Sequence, residues 1–311
     1  MLYNVCIMKS VARKENYVHT IKMRNETEFS EIYDKYKDDI RDHILYDMEG
    51  FDFDIDLLVI FKTYNEKKNN ISDETTAAAT TIKGNRYTII LNIGSLKMIP
   101  YDRGLDIALS IKHELGHVYD LYHAMHNKYY SINPLKARHK DFDEFVISKG
   151  WAFWTEFYAY YMTYRSYKKE YGYPTFLRLV RGYEKLQTQY EKIRTLTDFK
   201  AESANAMLES FIDNIKSFAY LFAKHLAGSV MGKPYKYDYC EKTKNRESFE
   251  IVNKLEVGLM KKIIPLFTNT YGKGMSNKMY ELGKYIIKNL FIKFDIYPIE
   301  YYKYIRFAYY P

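Results

Sequence analysis

Apolar positions recur along the chain at two spacings. Residues 26–48 carry Phe29, Ile32, Tyr33, Tyr36, Ile40, Ile44 and Leu45 three and four apart, which predicts an amphipathic helix. Ile55–Tyr64 is β-branched and apolar and reads as a buried strand, and Leu2–Met8 is a shorter run of strand character. Residues 65–75 are polar and read as a loop. Ala77–Ile82 and Tyr87–Ile93 flank the turn-like pair Gly84-Asn85, so a hairpin is expected, with Tyr87–Ile93 as a candidate sheet edge. The period then lengthens. Helical stretches are predicted at 102–127, 143–170, 175–195, 199–231, 247–268 and 276–293, and the chain reads as helical almost to its end. Residues 128–142 contain Pro134 and interrupt the pattern.

Strands with helices first, and helices afterwards, imply an α+β fold. The expected division is an N-terminal α+β part, 1–128, and a mainly helical part, 129–311. Only 14 Gly and 7 Pro in 311 residues favour long helices over a turn-rich β architecture. The aromatic share of 17 % is too high for a disordered chain. No apolar run approaches the ~18 residues of a membrane span. Two distant Cys, Cys6 and Cys240, and no signal-like N-terminal segment lead to the expectation of a reduced, cytoplasmic protein. The net charge is +8, and residues 251–311 hold ten Lys and Arg against four Asp and Glu. Nucleic acid or an anionic surface is therefore a conceivable partner, although no nucleic-acid motif accompanies the charge.

The strongest chemical signal is His113-Glu114-Leu115-Gly116-His117. Helix positions i and i+4 share a face with Cβ atoms about 5–6 Å apart, so two imidazoles there can grip one Zn²⁺. Glu114, roughly 100° round the axis, can reach a water on such an ion without being a ligand. Leu105, Ile107, Ala108, Ile111, Leu115 and Val118 supply an apolar flank. Gly116 inside the helix costs about 1 kcal/mol relative to Ala, which a close neighbour would explain.

A third ligand is required. His123, six residues after His117, lies roughly 9 Å further along an unbroken helix and well round it. Glu156 is the only carboxylate between Glu144 and Glu170, and no Lys or Arg lies within four residues of it. A lone acid among Trp151, Phe153, Trp154, Phe157 and Tyr158 is costly to bury, and a metal would compensate it. The bland alternative is an exposed stripe shared with Thr163. Asp143 and Glu144 sit near an expected helix start, where acids are common. Ala159 leaves room for the first helix to approach. Asp120, seven residues after His113, returns to nearly the same face; it either orients a ligand His from behind or faces solvent.

With these residues the chain resembles the gluzincin branch of zinc metallopeptidases. His-Glu-Leu-Gly-His-x-x-Asp, followed some forty residues later by Glu156-Phe157-Tyr158-Ala159, is similar to the catalytic domain of the anthrax lethal factor-like peptidases, over about residues 86–165. The resemblance implies a zincin-like fold: a small twisted sheet, an active-site helix and a helical second half that supplies the third ligand. It implies His113, His117 and Glu156 as zinc ligands and Glu114 as general base. The family's oxyanion tyrosine falls at Lys149 here, which leaves Tyr160, Tyr129, Tyr130 or the remote His225 as donors without a choice among them.

The expected function is thus zinc-dependent hydrolysis of peptide bonds in a protein or peptide substrate. Two alternatives stand beside it. One is a binding or structural protein on a zincin scaffold. The other is a basic binder acting through residues 251–311, including Lys261, Lys262, Lys284 and Lys288.

Overall fold

Alternation dictates the first sheet. Ile55, Leu57 and Val59 are buried while Asp56 and Leu58 are partly exposed, so this segment packs one face fully and the other in part. The structure, a computed structural model, describes residues 17, 19–26, 30–62, 79–83, 86–92, 104–125, 141–166, 176–195, 202–231, 246–267, 274–301 and 304–310. The strand expected at Leu2–Met8, the loop 65–75, the pair Gly84-Asn85, Tyr129 and Tyr130 lie outside them.

Among the described residues the order begins with β1 (His19–Glu26), α1 (Ser30–Met48), β2 (Ile55–Lys62), β3 (Ala79–Lys83) and β4 (Arg86–Asn92). The sheet order is β1-β2-β4-β3. β1, β2 and β4 run parallel, whereas β3 is antiparallel to β4, with Ala79 opposite Ile90 and Ile82 opposite Tyr87. The expected hairpin is therefore present. The expected edge is not: β4, which holds Tyr87–Asn92, is hydrogen-bonded on both sides. Its apolar run Tyr87, Ile89 and Leu91 is buried, as an inner strand's should be, and the edge falls to the Thr-rich β3. β1 was not expected. Its HTIKMRNE sequence places few apolar residues on the covered face, a weak alternation for a strand at the other edge.

The helices follow: α2 (Gly104–Met125), α3 (Phe142–Ser166), α4 (Phe176–Arg194), α5 (Glu202–Val230), α6 (Arg246–Phe267) and α7 (Met275–Ile286). All six coincide with predicted stretches. The Oδ1 of Asp141 accepts from the Glu144 backbone N–H at 2.8 Å and caps α3, with Asp143 and Glu144 in the first turn. α3 packs against α5 and α7. A Cβ on Gly150 would run into the Met279 carbonyl oxygen, and one on Gly283 into that of Val146, so α3 and α7 touch backbone to backbone. Around them lies an apolar core that includes Trp154, Phe157, Tyr183, Phe211, Phe222 and Leu259.

The helical reading fails at the C-terminal end. α7 runs into a π turn (Ile287–Phe291) and a 3-10 turn (Ile292–Phe294). Asp295, at φ 55°, then reverses the chain into the antiparallel pair β5 (Ile296–Tyr301) and β6 (Tyr304–Tyr309). The reason is aromatic packing: the Phe307 ring stacks on Phe291 at 4.1 Å and meets Phe145 edge-on at 5.1 Å. The result is a mixed α and β structure, mostly helical.

The chain divides into two compact units, Met1–Glu114 and Leu115–Pro311, and the division falls inside the continuous helix α2. Within the first unit, Lys112 Nζ reaches Asp47 Oδ1 at 2.6 Å and ties the end of α1 to α2. Both side chains are largely buried, 12 % and 6 % exposed. Burial pushes the Asp47 carboxyl up and Lys112 opposes that shift. Removing one partner of a buried ion pair costs about 3–5 kcal/mol. Asp47→Ala is expected to lose that much in a urea titration. Asp47→Leu combined with Lys112→Met should recover most of it. Equal losses in both proteins would assign the effect to packing instead.

Candidate metal centre

The one-turn spacing in α2 puts His113 and His117 on a common face, and α3 brings Glu156 to them. One ligand atom from each of His113, His117 and Glu156 lies within 4.8 Å of the others. His117 Nε2 is 3.7 Å from Glu156 Oε1. Tetrahedral zinc with bonds of about 2.1 Å needs ligand atoms about 3.4 Å apart, so a small inward movement would close the group on one ion. The donor set of two imidazoles and a carboxylate also suits zinc. Among the described residues this is the one such group, and it excludes His123, Asp143 and Glu144. The His123 ring instead lies against Tyr119, at 4.4 Å, and Tyr122.

The approach of the two helices depends on Gly116. A Cβ there would lie 2.8 Å from Ala159 Cα and 3.3 Å from Ala159 Cβ. The small residues on both sides are thus explained by contact. α3 is held by its own aromatic surface: Trp154 lies against Phe157 and Tyr158 and meets Phe267 edge-on at 5.7 Å. Thr163 is buried and donates to the Ala159 carbonyl at 2.8 Å, so it forms no exposed stripe with Glu156.

The surroundings set protonation. Burial lowers His117 to about 4, so the ring is neutral at pH 7, the form that can ligate. Its Nδ1 is 3.0 Å from Thr155 Oγ1; with Nδ1–H donating to that hydroxyl, Nε2 is left toward Glu156. Burial raises Glu156 to about 7, and the Lys224 charge acts against the rise. Glu114 is 6 % exposed. Asp120 is fully buried rather than solvent-facing, and its Oδ1 accepts from the Trp154 indole N–H at 3.0 Å.

Sequence reasoning missed three neighbours. Thr155 is adjacent to Glu156 and carried no distinguishing signal. Lys224 and Tyr220, one turn apart on α5, both bear electrostatically on Glu156 or feel its charge. Lys224 lies on another helix, beyond the window in which helical spacing pairs charges.

The remaining candidates are placed as follows. Lys149 Nζ lies over the rings of Phe145 (4.8 Å) and Phe307 (5.7 Å), and burial, with Lys216, lowers it to about 8. It pins β6 to α3. His225 is buried, with Nε2 3.1 Å from Glu256 Oε1. Tyr160 stacks on Tyr164 and carries Lys224 Nζ 4.9 Å from its ring centre. In the basic C-terminal region, Lys262 and Lys284 both pair with Glu281, at 3.3 and 3.5 Å.

Gly116→Ala is expected to force α2 and α3 apart by a few tenths of an ångström. Zinc affinity, read by competition with a chromophoric chelator, should fall about tenfold or more. Adding Ala159→Gly should restore little of it, because the closest approach is to the Ala159 Cα, which glycine keeps. An unchanged affinity in the single variant would show that the contact does not set the site.

No protein-family model, curated protein or solved structure matches the chain.

Proposed function

We propose that the protein is a zinc-dependent peptidase of gluzincin type. The observation that carries this reading is the convergence of His113, His117 and Glu156, from two helices, beside a nearly buried Glu114. A zincin-like fold, in which strands precede the metal-binding helix in the chain and helices follow it, is part of the same proposal.

A bound zinc ion would supply Lewis acidity and a water with a pKa near 7. The chain's own groups do the rest. His113 and His117 would bind as neutral imidazoles, and the Thr155 hydroxyl, 3.0 Å from His117 Nδ1, orients that ring. Glu156 completes the ligand set. Glu114, next to a ligand but not one itself, takes a proton from the attacking water and returns it to the leaving amine. Its burial keeps bulk water from competing for that proton. An extended substrate cannot pair with β4, which is already hydrogen-bonded on both sides.

A structural metal site is the second reading, favoured by Lys149, which stands where the resembled family has a tyrosine and is clamped between Phe145 and Phe307. One experiment separates the two. The purified protein is expected to hold about one zinc per chain and to cleave members of a mixed peptide library. Glu114→Gln should keep the metal and lose about 10²–10⁴-fold in rate. Undiminished cleavage would overturn the mechanism, and a metal-loaded protein inert to every peptide would favour the structural reading.

Protonation gives a further check. Glu156 must release its proton to bind a metal, so zinc affinity should rise about tenfold per pH unit below about 7 and flatten above. The sign follows from burial, which holds the proton on in the metal-free protein. Isothermal calorimetry across pH 5.5 to 8 reads the slope; an affinity independent of pH would contradict Glu156 as a ligand.

A further inference from the structure

Lys149 lies one turn after Phe145 on α3, and a helical side chain leans back toward the N-terminus of its helix. Its ammonium group therefore sits over the Phe145 ring, 4.8 Å from the centre, and β6 brings the Phe307 ring to 5.7 Å. The two rings meet edge to face at 5.1 Å and make a corner beside the amine. The side chain is partly exposed. Among the described residues it has no carboxylate partner and no hydrogen bond. Lys112, Lys262 and Lys284, by contrast, each meet a carboxylate. The charge that bears on Lys149 is of its own sign: Lys216 on α5, itself held by Asp213 at 2.8 Å. α7 and β6 add no ionised group that acts on it among the described residues.

These features favour the neutral amine. Two rings attract an ammonium ion, but they do not replace the water or the carboxylate that a charged lysine otherwise keeps. Burial and the Lys216 charge together lower the group to about 8. A desolvated lysine beside a second cation is an activated nucleophile. The surroundings also select the electrophile. An aldehyde would leave a charged iminium, still repelled by Lys216. Phosphorylation would set an anion against the negative faces of two rings. Acyl transfer gives a neutral, planar amide, which stacks on the rings and ends the repulsion.

We propose that Lys149 is a modification site, whose side-chain amine takes a short acyl group from an acyl thioester. The ammonium group first loses a proton to water. The nitrogen lone pair then attacks the thioester carbonyl carbon, the C–S bond breaks, and the thiolate leaves with the bonding pair. A second proton passes from the nitrogen to solvent, and the amide remains. No oxidant or reductant takes part. The reaction is independent of the metal group, and it removes the charge that Lys149 places over Phe145 and Phe307.

The full chain, treated with a limiting dose of N,S-diacetylcysteamine, tests the assignment when acetylation is measured site by site by mass spectrometry after digestion. At pH 8, Lys149 is expected to react at least tenfold faster than the exposed Lys254 and Lys261, and its rate should reach half its maximum near that pH. In concentrated urea the advantage should vanish. Lys216→Gln, a change at a surface residue, should slow Lys149 about threefold at pH 7.5, because a repelling charge is lost and the proton is held more tightly. A rate no greater than at Lys254 and Lys261, a rate still climbing above pH 10, an advantage that persists in urea, or indifference to Lys216→Gln would overturn the proposal.

Discussion

The His113, His117 and Glu156 group depends on one close approach. Gly116 and Ala159 let α2 and α3 meet with almost no side chain between them, 2.8 Å from a hypothetical Cβ to the opposing Cα. His113 and His117 share a helix face, and a ligand atom of Glu156 comes within 4.8 Å of theirs because α3 lies this near. A methyl group at 116 would strain the contact through neighbouring backbone, which cannot rotate away as a side chain can. The aromatic surface of α3 and its glycine contact with α7 make that helix the fixed partner, so the geometry is set by packing before any metal arrives.

The same packing explains the electrostatics. The Glu156 carboxylate, beside His117 and in the field of Tyr220, is poorly solvated, and burial raises it to about 7. His117 is neutral for the same reason. A divalent cation bound there would take the place of the Glu156 proton. Lys224 modifies this balance from α5. Its charge opposes the rise that burial imposes on the Glu156 carboxyl.

Much of this was legible in the sequence where a signal is local. The i,i+4 pair of His, the small residues Gly116 and Ala159, and the isolation of Glu156 in an aromatic run all follow from helical geometry over a few residues. The six long helices α2 to α7 were readable from their period for the same reason. What was not legible depends on distant pairing. β4 looked like an edge because its own sequence does not record that β3 lies outside it. β1 has too few apolar residues to stand out, and β5 and β6 owe their form to Phe145 and Phe291, outside the hairpin. Lys224, Tyr220 and the Lys112–Asp47 pair reach their partners across separate helices, where no spacing rule applies. The burial of Asp120 goes with the Trp154 indole on the neighbouring helix, a partner no local spacing reveals.

Lys149 is the instructive departure from the resembled peptidases. Its ammonium group stabilises the packing of β6 on Phe145 and Phe307, a structural role. The central claim is that His113, His117 and Glu156 hold one zinc ion, and crystals of the zinc-loaded protein, measured across the zinc absorption edge, test it most directly. The account predicts one anomalous peak about 2 Å from a nitrogen of each His and an oxygen of Glu156. A protein without such a peak, with Glu156 turned to Lys224 instead, would contradict it.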